Sequence, residues 1–299
     1  HGRDRRQRQM CIRDRNTTGP LAGQHNDQQT TAEQREQASL ESSPLGNSTA
    51  YVNQYDARLL FPIARNVNWA KRGIDRSILP FMQVSGAVDI WNGYEISWLN
   101  SKGKPIVRVA QFRFSAHSAY ILESKSFKLY LNSYNLSHFS SPAEVATQMQ
   151  TDLSKASGAA VEVDFYPLDA VPNVQCFEGV CIDDCDVQIS QYSPNPQLLK
   201  SNSQQQLEES LYSHVLKSNC PVTGQPDWAS ILVSYQGAAI DKGSLLQYIV
   251  SYREHGDFHE QCVENIFMDI WQECQPTKLT VYARYMRRGG LDINPFRSN

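Results

Sequence analysis

The sequence predicts an α+β fold made of two tandem halves, each an antiparallel sheet with two helices on one face in the order β-β-α-α-β-β. Three observations carry this. Strand-period alternation opens each half, capped helix-period segments follow, and strand alternation then returns. The order is read twice along 299 residues, a length that suits one large domain or two of about 100–150 residues.

In the first half, Val88, Ile90, Tyr94, Ile96 and Trp98 alternate with Asp89, Glu95 and Ser97, as a half-buried strand requires. Asn100-Ser-Lys-Gly-Lys104 is turn chemistry, and 106–114 reads as the returning strand of a hairpin. A short helix is expected over 126–135. The next helix has Ser141 as N-cap, Pro142 at its first position and Glu144 closing a capping box. Val145, Met149 and Leu153 share its apolar face, and Gly158 ends it. Val161, Val163 and Phe165 form a third strand, and 181–189 is the candidate fourth. Residues 194–209, with Pro194, Pro196 and three consecutive Gln, read as a linker between a first half at 51–193 and a second at 210–299. Beyond it, strands are expected at 211–217 and 230–235. Helices follow at 245–254 and 258–274, the latter with Cys262, Ile266 and Ile270 on one face. Strands at 279–286 and 291–293 complete the second half.

Residues 1–50 differ from the rest. They hold no Phe, Trp or Tyr, and only Ile12, Leu21, Leu40 and Leu45 as large aliphatics, so they cannot offset chain entropy by burial and are expected to be disordered. The opening, His rather than Met, reads as a fusion or sequencing scar, with a basic RNA-binding arm as the alternative. The formal net charge is −3, but residues 1–15 carry six Arg against two Asp, and without them 22 basic and 29 acidic residues leave −7. A body that acidic is poorly suited to binding nucleic acid. No apolar run reaches the roughly 18–20 residues of a spanning helix, so no membrane span is expected. Seven Cys without framework spacing favour a reduced, cytoplasmic setting.

Cys220 lies in Ser218-Asn-Cys-Pro-Val-Thr-Gly-Gln-Pro-Asp-Trp228, a polar, Pro- and Gly-punctuated loop. Such a place suits an accessible, reactive thiolate, with Asp227 close enough along the loop to exchange protons, though a loop Cys without a role fits the same residues. Cys262 and Cys274 sit at core spacing. Cys176, Cys181 and Cys185 crowd beside Asp183, Asp184 and Asp186 but lack a CxxC pair or nearby His, so no metal is expected. Phe258-His259-Glu260 opens a helix, either as a solvated first turn or as part of a site. Lys125 and Lys128, and separately Arg287 and Arg288 before Gly289-Gly290, follow strands and could hold phosphates. Neither GxGxxG nor GxxxxGK[ST] is present, so a dinucleotide would bind outside those frames.

Four blocks resemble the NADPH-dependent 7-cyano-7-deazaguanine reductases, the nitrile reductases of queuosine (tRNA modification) biosynthesis. They are Glu123-Ser-Lys-Ser-Phe-Lys-Leu-Tyr-Leu-Asn-Ser-Tyr-Asn135, the Cys220–Trp228 loop, Glu254-His-Gly-Asp-Phe-His-Glu-Gln-Cys-Val-Glu264, and Arg287-Arg-Gly-Gly-Leu-Asp-Ile-Asn-Pro295. The resemblance covers about 51–299 and leaves 1–50 unmatched. It implies two tandem tunnelling-fold halves in one chain, a site drawn from both, and a homodimer. It assigns Cys220 as the nucleophile that forms a covalent thioimide and Asp227 as proton donor. His259 and Glu260 would hold the deazaguanine, with the Leu122-Glu123-Ser124 peptide lining the base pocket. Ser124, Lys125, Arg288 and Gly289 would contact NADPH. A GTP cyclohydrolase or pterin synthase of the same fold, which usually needs zinc, and a non-catalytic purine-binding module are the alternatives.

Overall fold

The computed structural model describes residues 50–172 and 175–299, so the expectation for the first 49 residues lies outside the described part. The first half contains β1 (Pro62–Ala64), α1 (Asn66–Lys71), β2 (Val88–Leu99), β3 (Pro105–Ser115), β4 (Tyr120–Leu122), α2 (Ser124–Ser133), α3 (Pro142–Ser157) and β5 (Val161–Tyr166). After β6 (Val180–Cys181) come β7 (Ser201–Asn219), β8 (Pro226–Ile240), α4 (Lys242–Ser251), α5 (His259–Cys274), β9 (Lys278–Tyr285) and β10 (Leu291–Ser298). Both halves join one sheet in the order β5-β3-β2-β10-β9-β8-β7-β6, and β1 pairs with β4 separately. Every neighbour in the large sheet is antiparallel except the short β6–β7 pair.

Alternation decides which face is buried. In β9, Leu279, Val281, Ala283 and Tyr285 enter the core with Leu245 and Ile249 of α4 and Cys262, Ile266 and Ile270 of α5, whereas Thr280, Tyr282 and Arg284 face the other way. In the first half Trp91, Phe112 and Phe114 meet Phe127 of α2 and Val145, Met149 and Leu153 of α3. The helices thus cover one face of the antiparallel sheet. The α3 start follows its sequence: the Ser141 hydroxyl accepts from Glu144 N at 3.2 Å, and Gly158 closes the helix at φ 78°. The Glu144 carboxylate reaches back to Ser140 N at 2.7 Å, one residue before the cap.

The halves repeat in side-chain detail. Glu123 caps α2 and Asp241 caps α4. Three residues on, Ser126 and Ser244 accept from Phe61 N at 3.0 Å and Lys200 N at 3.1 Å. Further along, the Tyr130–Tyr134 hydroxyl pair (2.7 Å) binds Asp152 of α3, as the Tyr248–Tyr252 pair (2.9 Å) binds Asp269 of α5. Burying two phenols beside a carboxylate is tolerable because every hydroxyl finds a partner. The turn Ala57–Leu59, capped by Asp56, has its counterpart in Pro196–Leu198, capped by Asn195.

Two expectations are corrected. Residues 194–209 are not a structureless linker: they hold the Pro196–Leu198 turn and the start of β7. Residues 201–206 are exposed in a two-stranded ribbon with β8, so no apolar alternation marks them. The fourth strand expected at 181–189 is absent. Only Val180–Cys181 is extended, and it pairs in parallel with Leu211–Tyr212 at the far end of the sheet. Asp183, Asp184 and Asp186 offer no apolar face to continue it. The first half therefore gives β2, β3 and β5 side by side to the large sheet, and only the two-residue β6 at its far end.

At the junction β10 pairs with β2, from Leu291↔Gly93 to Phe296↔Val88. A buried ion cluster crosses the same seam: Asp89 meets Arg65 at 2.6 Å and Arg297 at 2.8 Å, and Glu264 meets Arg297 at 2.9 Å and Arg76 at 2.5 Å. Burial alone would push Glu264 up, but Arg76 and Arg297 hold it at about 2.

Candidate active site

The β7–β8 turn places the sulfur. Cys220 N donates to Gln225 O at 2.9 Å and Gly224 N to Cys220 O at 3.0 Å, a tight reversal that uses Gly224 at φ 66°. Thr223 N–H points at Cys220 Sγ from 3.5 Å, a contact that strengthens as the sulfur gains negative charge. The Cys is less accessible than a loop position suggests, being 6 % exposed. It nevertheless lines a cavity.

Register brings Asp227 to the same cavity. Ser218 pairs with Asp227 across the hairpin, so seven positions of chain fold back to Cys220. Asp227 Oδ1 lies 2.6 Å from Arg288 Nη1 and Oδ2 lies 3.5 Å from His259 Nε2. His259 and Glu260 begin α5, and Glu260 is buried at 3 % exposure. Burial and the Asp89 charge push the Glu260 carboxyl up to about 7, against the pull of Arg65. From the first half, Leu122 and Ser124 complete one wall.

A second cavity adjoins the first through Lys128 and Leu291, which line both; Tyr51, Glu95 and Gly289 are among its other walls. Gly289 and Gly290 have φ of 58° and 78°, and a Cβ at Gly289 would stand 3.2 Å from Lys128 Nζ. Lys125 lies over the Tyr51 ring at 5.8 Å. A narrow glycine passage flanked by cations suits a phosphate-bearing cofactor.

Residues 51–165 match the family described as nitrile reductase, 7-cyano-7-deazaguanine-reductase N-term, and residues 226–299 match the family described as QueF-like protein. The NADPH-dependent 7-cyano-7-deazaguanine reductase of Dechloromonas aromatica (strain RCB) is 52 % identical over 259 residues, 86 % of this chain and 90 % of that protein. The one from Hydrogenovibrio crunogenus (strain DSM 25203 / XCL-2) is 53 % identical over 263 residues, 88 % of this chain and 94 % of that protein. The chain belongs to the NADPH-dependent 7-cyano-7-deazaguanine reductase family. A solved structure of the archaeosine synthase QueF-Like in the apo form is 19 % identical with a TM-score of 0.28, over 33 % of this chain and 96 % of that one.

Of the positions to which the family resemblance gives roles, Leu122, Ser124, Cys220, Asp227, His259, Glu260 and Arg288 share one cavity. Three do not. Glu123 is fully buried, and its carboxylate oxygens accept from Lys125 N at 2.5 Å and Ser126 N at 2.7 Å as the α2 cap. Gly289 lines the second cavity, and Lys125 stands over Tyr51. Arg288, expected on the cofactor, is engaged by Asp227.

The cavity also recruits residues that motif reading did not assign to it. Trp91, Leu291 and Ile293 supply apolar walls, while Lys128, Asp257 and Phe258 bring polar and aromatic ones. Lys128 was within reach of helical periodicity, since it lies one turn beyond Ser124 on α2. Burial, then the Arg288 charge, pushes its ammonium down. Trp91, Leu291 and Ile293 depend on the β2–β10 pairing, for which the sequence holds no local signal. Among the described residues no group of three or more His, Cys, Asp or Glu is placed to hold a metal.

Proposed function

We propose that this chain is an oxidoreductase that uses NADPH to reduce the nitrile of 7-cyano-7-deazaguanine to an aminomethyl group, through a covalent thioimide on Cys220. The observation that carries the reading is Cys220 Sγ facing a backbone N–H at 3.5 Å, in the cavity that also holds Asp227, His259 and Glu260. Family membership, and relatives named for NADPH and this base, support the substrate and the cofactor.

Cys220 Sγ adds to the nitrile carbon, while the nitrile nitrogen takes a proton from the Asp227–His259 side of the cavity. A C–S bond forms, one C–N π bond breaks, and the thioimide results. When bound, NADPH supplies hydride, and the four-electron change requires two of them. Once the thioimide carbon had gained one hydride and its nitrogen a proton, Cys220 would leave as thiolate, stabilised again by Thr223 N–H, and the protonated imine so released would need only the second hydride. Arg288 holds one Asp227 oxygen, so the other stays beside His259, where a proton can be taken up and passed to the nitrile nitrogen. Glu260 accepts from the N–H edge of the base, and a dry apolar wall of Trp91 and Ile293 covers its face. The second cavity, with Gly289, Lys128 and the nearby Lys125, would hold the cofactor phosphates.

The same reading places the product in queuosine biosynthesis, with no direct nucleic-acid partner, and makes the enzyme a cytoplasmic homodimer whose two halves each contribute to one site. The acidic body supports the lack of a nucleic-acid partner. The test is to incubate the chain with NADPH and the nitrile base. The expected result is two NADPH consumed per base and a product four hydrogens heavier; NADPH consumption independent of the base would reject the reading.

A further inference from the structure

Tyr285 has no task in the chemistry above, yet it makes the closest ring contact in the site. Its ring lies parallel to the His259 imidazole, with centroids 3.7 Å and planes 1° apart. Tyr285 ends β9 and is 4 % exposed. Its backbone N donates to Asn294 Oδ1 at 3.1 Å and its register partner on β8 is Ala229; its hydroxyl is buried without a hydrogen-bond partner among the described residues.

The imidazole is far less constrained. It projects from the first residue of α5, where Phe258 gives no side-chain cap. Its Nε2 reaches Asp227 at 3.5 Å, a long contact, and its Nδ1 is buried with no hydrogen-bond partner among the described residues. A ring held by one long contact can turn about its Cβ–Cγ bond. A parallel aromatic face at 3.7 Å prevents that turn, because rotation would drive the ring edge into the Tyr285 face.

We infer that Tyr285 is a positioning residue for recognition of the base: its ring clamps the plane of His259, holding Nε2 at Asp227 and the imidazole at the wall of the cavity that takes the deazapurine. This rests on His259 reading the base. The hydroxyl, buried and without a hydrogen-bond partner among the described residues, takes no part in recognition.

The test measures affinity for the nitrile base by calorimetric titration of the full chain in a Cys220→Ser background, where no covalent step intervenes. Tyr285→Phe keeps the flat face and is expected to bind within about twofold of the background. Tyr285→Leu removes it and is expected to weaken binding roughly three- to tenfold. If that variant does not fold, Tyr285→Met, closer in volume, takes its place. The deciding comparison repeats the Tyr285 change in a His259→Ala background, where the clamp has nothing to hold and affinity is expected to fall no further. An equal loss in both backgrounds, a loss with Phe as large as with Leu, or no loss with Leu would each overturn the inference. Failure of the underlying reading looks different: His259→Ala alone would then leave the affinity unchanged.

Discussion

Asp227 and Arg288 form a 2.6 Å ion pair although 61 positions separate them. β8 carries the carboxylate and the turn before β10 carries the guanidinium, so the pair forms only once β9 lies between those elements. It fixes one carboxylate oxygen and leaves the other 3.5 Å from His259. If Arg288 acts mainly through Asp227, Arg288→Ala lowers kcat with little change in KM for NADPH. A rise in KM for NADPH at unchanged kcat would instead place Arg288 on the cofactor. Steady-state kinetics with varied NADPH separates the two.

Asp227→Asn tests the proton transfer itself. General acid–base groups contribute typically ~10²–10⁴-fold, and a loss of that size is expected with an unchanged melting temperature. Turnover within a few-fold of the parent at neutral pH would contradict the assignment.

Glu260 gives a pH dependence with a defined sign. Its carboxyl is pushed up to about 7, first by burial, so the ionised form that accepts from the base is incomplete at neutral pH. Base affinity in the Cys220→Ala background should rise with pH through 7 and level off above 8. The stability sign is opposite. A carboxyl raised above its ordinary 4.5 destabilises the fold as pH climbs through that window, by roughly 1.4 kcal/mol per unit of difference. Glu260→Gln should therefore raise the melting temperature more at pH 8 than at pH 5, while weakening base binding at pH 8 far more than at pH 5. Affinity independent of pH between 6 and 8 would sink this account.

Hairpins and helix caps were legible because local residues determine them: the alternation through Val88–Leu99, Ser141 at its cap and Gly158 at its stop. What stayed hidden had no local signal. Residues 201–206 are solvated and so carry no apolar period. The β2–β10 pairing and the Asp227–Arg288 pair join distant segments, and spacing says nothing about them. The carboxylate of Glu123 was hidden for another reason: its motif did not reveal that it caps α2, as Asp241 caps α4 in the second half. The repeat Glu123-x-x-Ser126-x-x-x-Tyr130-x-x-Ser133-Tyr134, answered by Asp241-x-x-Ser244-x-x-x-Tyr248-x-x-Ser251-Tyr252, was readable and relates the two helix pairs directly.

The seam between the halves should fail in acid. Glu264, held at about 2 by Arg76 and Arg297 against burial, contributes stability fully above its ordinary 4.5 and loses it as pH falls toward 2. Glu264→Gln leaves two buried guanidinium groups under-paired and should cost about 3–5 kcal/mol at neutral pH. Urea unfolding of parent and variant at pH 7 measures it; midpoints that coincide would contradict the role of the cluster.

If the cations beside Gly289 hold the cofactor phosphates as proposed, they set cofactor choice. Lys125 is not paired with Asp227 as Arg288 is, so Lys125→Ala should narrow the preference for NADPH over NADH by roughly tenfold, the effect of one charge-assisted contact of about 1.4 kcal/mol. An unchanged ratio of kcat/KM for the two cofactors would move the 2′-phosphate contact to another residue.

The most direct test of the central claim is the intact mass of the chain mixed with the nitrile base in the absence of NADPH. Nucleophilic addition by Cys220 predicts a gain of one base per chain, mapped to Cys220 by digestion and absent from Cys220→Ala. An adduct that persists on the Ala variant, or a parent chain that gains no mass, would contradict it.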